Sequence, residues 1–262
     1  MKNNFISILI TNYNKSKFLK KSLKSVTSQN YRNYEIIIFD DCSTDKSINI
    51  IKKFNKINLI TNNKKKTNSS ALNQINGLKQ AYLKSKGKII CLMDSDDFFK
   101  KNKLSEINRY FKINKTKNIV YNLPIVGKKN SFEISKKGNL NVWPTIFPTS
   151  CISLKRHYLE FFFKNIEFKK YENLEIDARI NIFFKFYLNE YNILDKSLTN
   201  YNYDSLGITS NIPKYSKLWW LRRAEAFDYL KFIFLKKNKS FQPNIDYFIT
   251  KVICFIINFF KQ

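Results

Sequence analysis

Glycine and histidine are scarce in this chain of 262 residues, which contains five glycines and one histidine. The glycines stand too far apart to form the G-x-G-x-x-G turn of dinucleotide-binding proteins or the G-x-x-x-x-G-K-[ST] phosphate loop. A single histidine argues against a histidine-rich zinc site and against most Ser–His–Asp triads. Four common kinds of catalytic or cofactor site are therefore disfavoured by composition.

Cysteine is also sparse, with four residues and no C-x-x-C pair, so we expect reduced thiols in a cytoplasmic protein. The apolar part of the first ten residues is too short for a secretory signal. No run of about 18 uncharged apolar residues occurs, and we expect no membrane-spanning helix. With 44% hydrophobic residues the chain can still bury a core, which excludes wholesale disorder.

Acidic residues are few: 20 Asp and Glu stand against 47 Lys and Arg, for a net charge of +27. One interpretation is attraction to anions such as nucleic acid, phosphorylated small molecules or a membrane surface. The other is codon bias, because Lys, Asn, Ile, Phe and Tyr are all abundant. Only six basic residues are arginine, whereas nucleic-acid binders favour arginine for bidentate contacts. We favour bias and expect no nucleic-acid partner.

The first hundred residues alternate strand and helix patterns. Apolar runs of strand length fall at 5–10, 35–39, 57–60 and 88–93. Amphipathic segments separate them: we expect Ser16 to cap the first, Ser43 or Thr44 to cap the second, and the third to begin near Ser70. Such βαβ units predict an α/β fold with a mostly parallel sheet that is covered by helices on both faces.

The second half is less regular. We expect strands at 118–126 and 149–154, a loop or hairpin at 127–143, extended or mixed structure at 191–203, and helices at 155–163, 174–188, 214–236 and 244–260. This pattern predicts one α/β domain over residues 1–210 with a C-terminal helical extension over 211–262.

Acidic residues follow two of the predicted strands. Asp40 and Asp41 end one strand, and Asp94, Asp96 and Asp97 follow another. Ligands of parallel sheets bind beyond the carboxyl ends of the strands. Carboxylates so close together repel one another unless a cation lies between them, and Mg²⁺ pairs one or two carboxylates with substrate phosphates. We therefore predict a metal–diphosphate site, with helix capping by an acidic turn as the alternative.

Three segments in this order and spacing carry a family resemblance: ISILITNYN at 6–14, DDCSTD at 40–45 and GKIICLMDSDD at 87–97. The chain resembles the family 2 glycosyltransferases, which have the GT-A nucleotide-sugar fold. The resemblance covers residues 4–112 well and the rest loosely. It implies transfer of a sugar from a nucleoside-diphosphate sugar, with UDP as the default, to a hydroxyl of a glycan or lipid-linked acceptor. It also implies inversion at the anomeric carbon, a Mg²⁺ or Mn²⁺ cofactor, and a place in cell-envelope polysaccharide synthesis.

The same resemblance assigns roles to residues of the donor site. It implies nucleotide contacts from Thr11, Tyr13, Asp41, Asp94 and Ser95, and metal and diphosphate contacts from Asp96 and Asp97. The family commonly has an Arg-Asn pair before the glycine at position 77, where this chain has Asn73 and Gln74. Lys65 and Lys66 are further candidates for the diphosphate.

The general base that such a transfer requires has several candidates in the segment 171–179. In one alignment with the family's acidic motif, the base position falls on Asn173, which is not a base, and the protein would be slow or inactive. An alignment a few residues later makes Asp177 the base, which we prefer, with Glu175 and Glu172 as alternatives. The segment is also consistent with an amphipathic helix whose acids are solvated.

Two C-terminal features remain open. We expect Trp219, Trp220, Arg222 and Arg223 to contact the acceptor or the diphosphate. Sugars stack on aromatic rings, and arginine binds phosphate bidentately. The alternative is that these residues belong to an ordinary core helix. The apolar segment 247–260 predicts either a helix in a membrane interface or one packed on the domain or on a second subunit. We accordingly expect a cytoplasmic protein with a possible site of peripheral contact on the inner membrane face.

Three rival functions stay open at this point. A nucleotidyltransferase would use a glycine-rich basic first loop, which residues 11–17 do not resemble. A nucleic-acid-binding module would bind with steep salt dependence and no affinity for nucleotide sugars. A degenerate protein that binds the donor without turnover is the third, because of Asn173.

Overall fold

The structure is a computed structural model and describes residues 3–64, 67–127, 143–202 and 212–259. Its centre is an eight-stranded mixed sheet with the spatial order β3-β2-β1-β4-β7-β6-β8-β5. In chain order the strands are β1 (Ile6–Asn12), β2 (Tyr34–Asp40), β3 (Ile57–Thr61), β4 (Ile89–Asp94), β5 (Phe98–Phe99), β6 (Ile119–Val126), β7 (Ile152–Lys155) and β8 (Ile193–Tyr201).

Strands β1 to β4 run parallel, with β1 between β2 and β4. Strand β7 is antiparallel to both β4 and β6, and the short β5 is antiparallel to β8, which itself runs parallel to β6. The predicted mostly parallel α/β sheet is confirmed, and its carboxyl edge gathers the ends of β1, β2 and β4.

Helices cover both faces of the sheet. They are α1 (Ser16–Thr27), α2 (Ser47–Ile51), α3 (Ser70–Lys84), α4 (Lys103–Ile113), α5 (Arg156–Asn165), α6 (Ile176–Ile182), α7 (Lys217–Lys236) and α8 (Ile245–Phe259). One apolar core joins α1, α2 and α4 to one face of the sheet. The other core joins α3, α5, α6 and α7 to the opposite face.

The core-facing residues of the first helix are those that its periodicity predicts, since Leu19, Leu23 and Val26 are fully buried. The predicted cap is wrong. Ser16 is the first helical residue rather than a cap, and its N–H donates to Asp45 Oδ2 at 2.9 Å. The next helix begins at Ser47, whose N–H is also bound by Asp45, instead of at Ser43 or Thr44. One aspartate thus serves two helix starts.

Two segments of the second half differ from the predicted elements. A 3-10 turn occupies Thr149–Cys151 before β7 begins, so the predicted strand at 149–154 is shorter. The predicted helix at 174–188 starts two residues later as α6 and continues as a π-helical turn over Phe183–Tyr187. The predicted loop at 127–143 lies almost entirely outside the described residues.

The last two helices differ in how they are packed. Tyr229, Leu230 and Ile233 of α7 are fully buried in the core that also holds α3 and α6. Helix α8 packs on α7 through Thr250 and Cys254, while most of its apolar side chains are exposed. Within the described ranges, every helix is too short or too polar to cross a membrane.

Candidate active site

The candidate site lies at the carboxyl edge of the sheet, where three parallel strands end side by side. The strand register pairs Thr11 of β1 with Asp94 of β4, and Asn12 with Asp40 of β2. Residues that are 83 positions apart in sequence are therefore neighbours across one strand pair. The prediction that both acidic strand ends share one edge is confirmed.

Asp40 organises this edge from within. It is fully buried, and its carboxylate accepts hydrogen bonds from Asn12 Nδ2 at 2.7 Å and from the Ser43 N–H and hydroxyl at 2.8 and 2.7 Å. The Ser43 hydroxyl in turn accepts the N–H of Asn14. Asp40 thus holds the loop after β1 against the loop after β2 and is turned away from solvent.

Asp41 and Tyr13, both predicted to contact the nucleotide, lie on these two loops. The Asp41 N–H donates to the Asn12 carbonyl at 2.9 Å, which extends the strand pairing by one residue. The Asp41 carboxylate accepts from Asn62 Nδ2 at 3.4 Å, and the Tyr13 side chain is 40% exposed. Asn14 and Cys42 have positive φ angles of 50° and 59°, which turn the two loops sharply. An exposed ring beside a carboxylate can stack on a base and bind its polar edge.

The residues after β4 form a turn instead of continuing the strand. The Asp97 N–H donates to the Asp94 carbonyl at 3.1 Å. The alternation that would place Asp94 and Asp96 on one side of a strand therefore ends at Asp94. Ser95 is buried inside the turn, whereas part of the Asp94 surface stays accessible.

The carboxylate of Asp94 is flanked by helix α3. Gln74 Nε2 donates to Asp94 Oδ1 at 2.9 Å, and the Asp94 N–H donates to the Ser150 hydroxyl. Burial, together with the charges of Asp97 and Asp96, raises the pKa of Asp94 to about 8. Gln74, one of the two polar residues before Gly77 that the sequence analysis named, therefore binds the carboxylate that ends β4.

Asp97 is fully buried under the turn. Its Oδ1 accepts the N–H of Asn202 at 2.8 Å, and its Oδ2 has no hydrogen-bond partner among the described residues. Burial and the charge of Asp96 raise the pKa of Asp97 to about 7. The ammonium of Lys103 is buried nearby and donates to the Ser150 carbonyl and the Thr199 hydroxyl, and burial lowers its pKa to about 8.

Asp96 forms an ion pair with Lys15. The distance from Lys15 Nζ to Asp96 Oδ2 is 2.6 Å, and about 15% of each side chain is exposed. Lys15 directly follows the loop after β1, which carries Tyr13, so the ion pair links that loop to the acidic turn. The sequence analysis missed Lys15 because 81 residues separate the two charges.

A divalent cation suits this donor set only when the substrate completes its coordination. Within the described ranges, no three His, Cys, Asp or Glu side chains converge to form a metal cage. The site does offer hard carboxylate oxygens, among them the unpartnered and buried Oδ2 of Asp97. Mg²⁺ characteristically takes one or two carboxylates and completes its shell with water and substrate phosphate. The residues therefore fit an ion that is shared with a diphosphate.

Asp177, at the start of α6, approaches the acidic turn from the second half of the chain. Its Oδ1 accepts the N–H of Ala178 at 2.7 Å. Burial, the charge of Glu175 and then the charge of Asp94 raise its pKa to about 7. Tyr201, at the end of β8, lies within the field of Asp177 and of the three aspartates of the turn, and burial with these charges raises the pKa of its phenol. Tyr201 is a site residue that the sequence analysis missed.

The other two acids of this segment are placed differently. Glu175 is buried in an ion pair with the guanidinium of Arg222, which also donates to the Asn173 carbonyl. Glu172 is exposed, and its backbone carbonyl accepts the hydroxyl of Ser69 at 2.5 Å. Because Glu175 is occupied by its ion pair and Glu172 is exposed to solvent, the geometry favours Asp177 over both alternatives.

Asn173 is held by α7. Its N–H and side-chain amide donate to the two carboxylate oxygens of Glu225 at 2.7 and 2.6 Å. Arg179 is fully buried and donates to the backbone carbonyls of residues 170, 171 and 174 at 2.5 to 2.9 Å. Together they hold the loop before α6, which sets the position of Asp177.

The four aromatic and basic residues predicted for the acceptor divide into two groups. Arg222 pairs with Glu175, two positions before the candidate base, as described. Arg223 forms an ion pair with Asp246 of α8 and lies over the ring of Trp219 at 5.2 Å, so it links α7 to α8. Trp219 and Trp220 pack edge to face at 4.7 Å and are half-buried. Lys65 and Lys66 lie outside the described residues.

Comparison with known proteins agrees with this architecture. The family model described as glycosyl transferase family 2 matches residues 7–191. A poly(ribitol-phosphate) β-N-acetylglucosaminyltransferase of Staphylococcus aureus, TarS, is 32% identical over 105 residues, which are 38% of this chain and 18% of TarS. A β-1,3-glucosyltransferase of Escherichia coli, WfaP, is 40% identical over 102 residues, 38% of each chain.

Solved structures have the same fold. The structure of TarS residues 1–349 in complex with UDP superposes with a TM-score of 0.61 at 17% identity, covering 95% of this chain and 69% of that one. A mannosyltransferase of Pyrobaculum calidifontis, in complex with GDP-Man and Mn²⁺, has a TM-score of 0.56 at 14% identity and covers 97% and 70%. The GT-A fold is thereby confirmed.

The mixed sheet of GT-A type, together with a family match over more than half of the chain, defines the class of protein to which this chain belongs. The chain belongs to glycosyl transferase family 2. The matches span from 14% to 52% of the length of the curated relatives, for example 52% of an uncharacterised glycosyltransferase of Nostoc.

Proposed function

We propose that this protein is an inverting glycosyltransferase that moves a sugar from a UDP-sugar to a hydroxyl of a glycan or lipid-linked acceptor, with the help of Mg²⁺ or Mn²⁺. The observation that carries the proposal is the strand register, which brings Thr11, Asp40 and Asp94 to one edge of the sheet. The charge of Asp94 also acts on Asp177, so a base at Asp177 would serve a diphosphate bound at that edge.

The choice of UDP and of the acceptor rests on relatives. TarS has been solved with UDP and with UDP-GlcNAc, and WfaP is named for transfer from UDP-Glc to a diphosphoundecaprenol-linked sugar. The Pyrobaculum mannosyltransferase has been solved with GDP-Man instead, so the nucleotide must be tested directly.

The residues of the candidate site then have different roles in binding the donor. Tyr13 and Asp41 bind the base and ribose, and Thr11 lines the strand end beside Asp94. Asp96 and Asp97 would hold the cation, which would offset the negative charge that develops on the leaving diphosphate. Lys15, paired with Asp96, adds a positive charge beside the same turn.

Asp177 acts on the acceptor. Its carboxylate takes the proton of the acceptor hydroxyl while that oxygen attacks the anomeric carbon opposite the diphosphate. The bond from the anomeric carbon to the diphosphate oxygen breaks, and the configuration inverts. Tyr201, protonated at neutral pH, can donate a hydrogen bond into the same space. Arg222, Glu225 and Asn173 hold the loop that positions Asp177.

A thermal-shift panel tests the proposal. UDP, GDP and CMP are compared with and without Mn²⁺, on the natural chain and on Asp96→Ala. A ligand at 100 times its Kd stabilises the folded state by about 2.7 kcal/mol, which raises the Tm of a chain of this size by roughly 5–10 °C. We expect this shift with UDP and Mn²⁺ together, and its loss in Asp96→Ala.

The matched control is Asp195→Ala, which removes an exposed acid of β8 remote from the turn. It should keep the full shift. A Tm shift with GDP and not with UDP would show that the donor is a GDP-sugar. The absence of a shift with all three nucleotides at millimolar concentration would refute the proposal.

A further inference from the structure

Helix α8 carries its apolar side chains on the side that faces solvent. Six of them are between 46% and 71% exposed: Phe248, Ile249, Val252, Phe255, Ile256 and Phe259. At 100° per residue these positions cover about 120° of the helix surface, and every residue on that arc is apolar. A helix on the surface of a soluble protein normally shows the reverse pattern, with a polar outer face.

The opposite face of α8 is already used. Thr250 is fully buried against α7, the Cys254 thiol donates to the Trp220 carbonyl at 3.5 Å, and the Tyr247 ring meets Phe227 edge to face. Two ion pairs, Arg223–Asp246 and Lys251–Asp228, hold the helix at its sides. These contacts determine which side of α8 points outward.

The surroundings of this face are basic and aromatic. Exposed lysines lie just before and at the start of α7 (Lys214 and Lys217), at its last residue (Lys236) and in the turn before α8 (Lys239). Tyr215, which is 62% exposed, packs against Trp219. Both acids that flank the face, Asp246 and Asp228, are already paired with cations. An apolar face with tyrosine, tryptophan and lysine at its margin is the pattern of helices that lie in a bilayer interface.

We propose that α8 docks this protein peripherally on an anionic phospholipid surface, with its outer apolar face immersed among the acyl chains and its axis parallel to the membrane. Charge selects this occupant over a second copy of the chain. Pairing two copies through α8 would bring together two molecules that each carry a net charge of +27, whereas an anionic surface attracts the same lysines.

Vesicle co-sedimentation tests this surface without substrate, so that its outcome is independent of the proposed function. The full chain is mixed with vesicles of phosphatidylcholine that contain about 30% phosphatidylglycerol, and with pure phosphatidylcholine vesicles. We expect binding to the mixed vesicles, weaker binding to the neutral ones, and partial loss at high salt, because screening removes only the electrostatic part. The double variant Val252→Glu/Phe255→Glu should lower the vesicle-bound to free ratio at least about tenfold, because both substitutions put a charge on the immersed face.

The matched control is Ile113→Glu, which places the same charge on an apolar residue of α4 that is 72% exposed. It should bind vesicles like the natural chain. Circular dichroism of both variants, and the single variant Phe255→Ser, keep the test valid if the double variant folds poorly. Equal vesicle binding by the folded α8 variants would overturn the proposal. A second result would also overturn it: light scattering shows a dimer that the α8 substitutions dissociate, and the natural chain does not bind vesicles.

Discussion

At the residue scale, the site is decided by which acids are free to react. Glu175 and Asp177 are two positions apart, yet Glu175 forms the ion pair with Arg222, whereas the Asp177 carboxylate accepts the N–H of Ala178. Burial and neighbouring negative charge raise the pKa of Asp177 to about 7, which suits a base that works near neutral pH. The surrounding charges, rather than the residue type, therefore distinguish the base from its neighbours.

Replacing this base tests the assignment. We expect Asp177→Asn to lower kcat by about 10²–10⁴-fold, the usual contribution of general base catalysis, while donor affinity in the thermal-shift assay stays the same. Because a protonated carboxyl accepts no proton, kcat/KM of the natural chain should fall about tenfold per pH unit below a pKa of about 7. Steady-state kinetics between pH 5 and 9 measure both effects.

The control for this prediction is Glu172→Gln, which alters an exposed acid of the same segment. It should leave kcat and the pH profile unchanged. If Glu172→Gln, and not Asp177→Asn, removes activity, the base has been misassigned.

At the element scale, helix α3 is positioned by a close approach to the sheet. A Cβ at Gly77 would lie 2.5 Å from Cδ1 of Phe39 on β2, nearer than side-chain carbons come to one another. The same helix presents Gln74 to Asp94 and, through Ser69, binds the loop before α6. The closeness of α3 to β2 thus sets the position of both halves of the site.

The Gly77→Ala substitution should therefore destabilise the fold, although alanine ordinarily stabilises a helix by about 0.5–1 kcal/mol relative to glycine. Overpacking costs about 1–3 kcal/mol, and we expect the net effect to be a lower urea midpoint. Phe39→Leu creates space at this contact, so the double variant should lose less stability than the sum of the two single variants. A stabilising Gly77→Ala would show that the helix can move away at no cost.

The packing of the last two helices bears on where the chain divides into domains. The boundary at residue 210 between the α/β domain and the helical extension remains a prediction. Within the described part of the chain, α7 is buried in the core of the first segment and α8 is attached to α7. Proteolysis at the connection between α7 and α8 would show whether α8 separates from the rest.

At the scale of the whole molecule, the acidic turn makes stability depend on pH. The pKa values of Asp94, Asp97 and Asp177 are about 8, 7 and 7 in the folded protein, against an ordinary value of 3.8. Between these limits the folded state binds more protons than the unfolded state. The free energy of unfolding therefore falls as the pH rises from about 4 to about 8.

We expect the Tm of the metal-free protein to fall over this range and to recover when Mn²⁺ and UDP are added at pH 8, since the cation favours the ionised carboxylates. Asp94→Asn removes the largest of the three ionisation costs and should flatten the dependence on pH. Asp195→Asn, at an exposed position, should not. A calorimetric scan at each pH measures the difference, and an Asp94→Asn profile that parallels the natural one would contradict the assignment.

The net charge of +27 does not by itself indicate a nucleic-acid partner. The described part of the chain keeps several of its lysines in specific contacts, among them Lys15 with Asp96 and the buried Lys103. The acidic turn at the sheet edge would repel a nucleic-acid backbone, which favours the glycosyltransferase over the nucleic-acid alternative.

Local patterns were sufficient for much of this molecule. The strand lengths, the buried positions of α1 and the acidic ends of β2 and β4 follow from periods of two and of 3.6 residues, and three short segments identified the family. These features are readable because each depends on neighbours within a few positions.

Tertiary structure alone decided which charges meet. Four features depend on residues that are tens to more than one hundred positions apart. They are the pairing of Lys15 with Asp96, the place of Tyr201 beside the acids, the ion pair of Glu175 with Arg222, and the outward apolar face of α8. Burial and Coulomb energy depend on distance in space, and a linear pattern does not contain that distance until the sheet has brought the strand ends together.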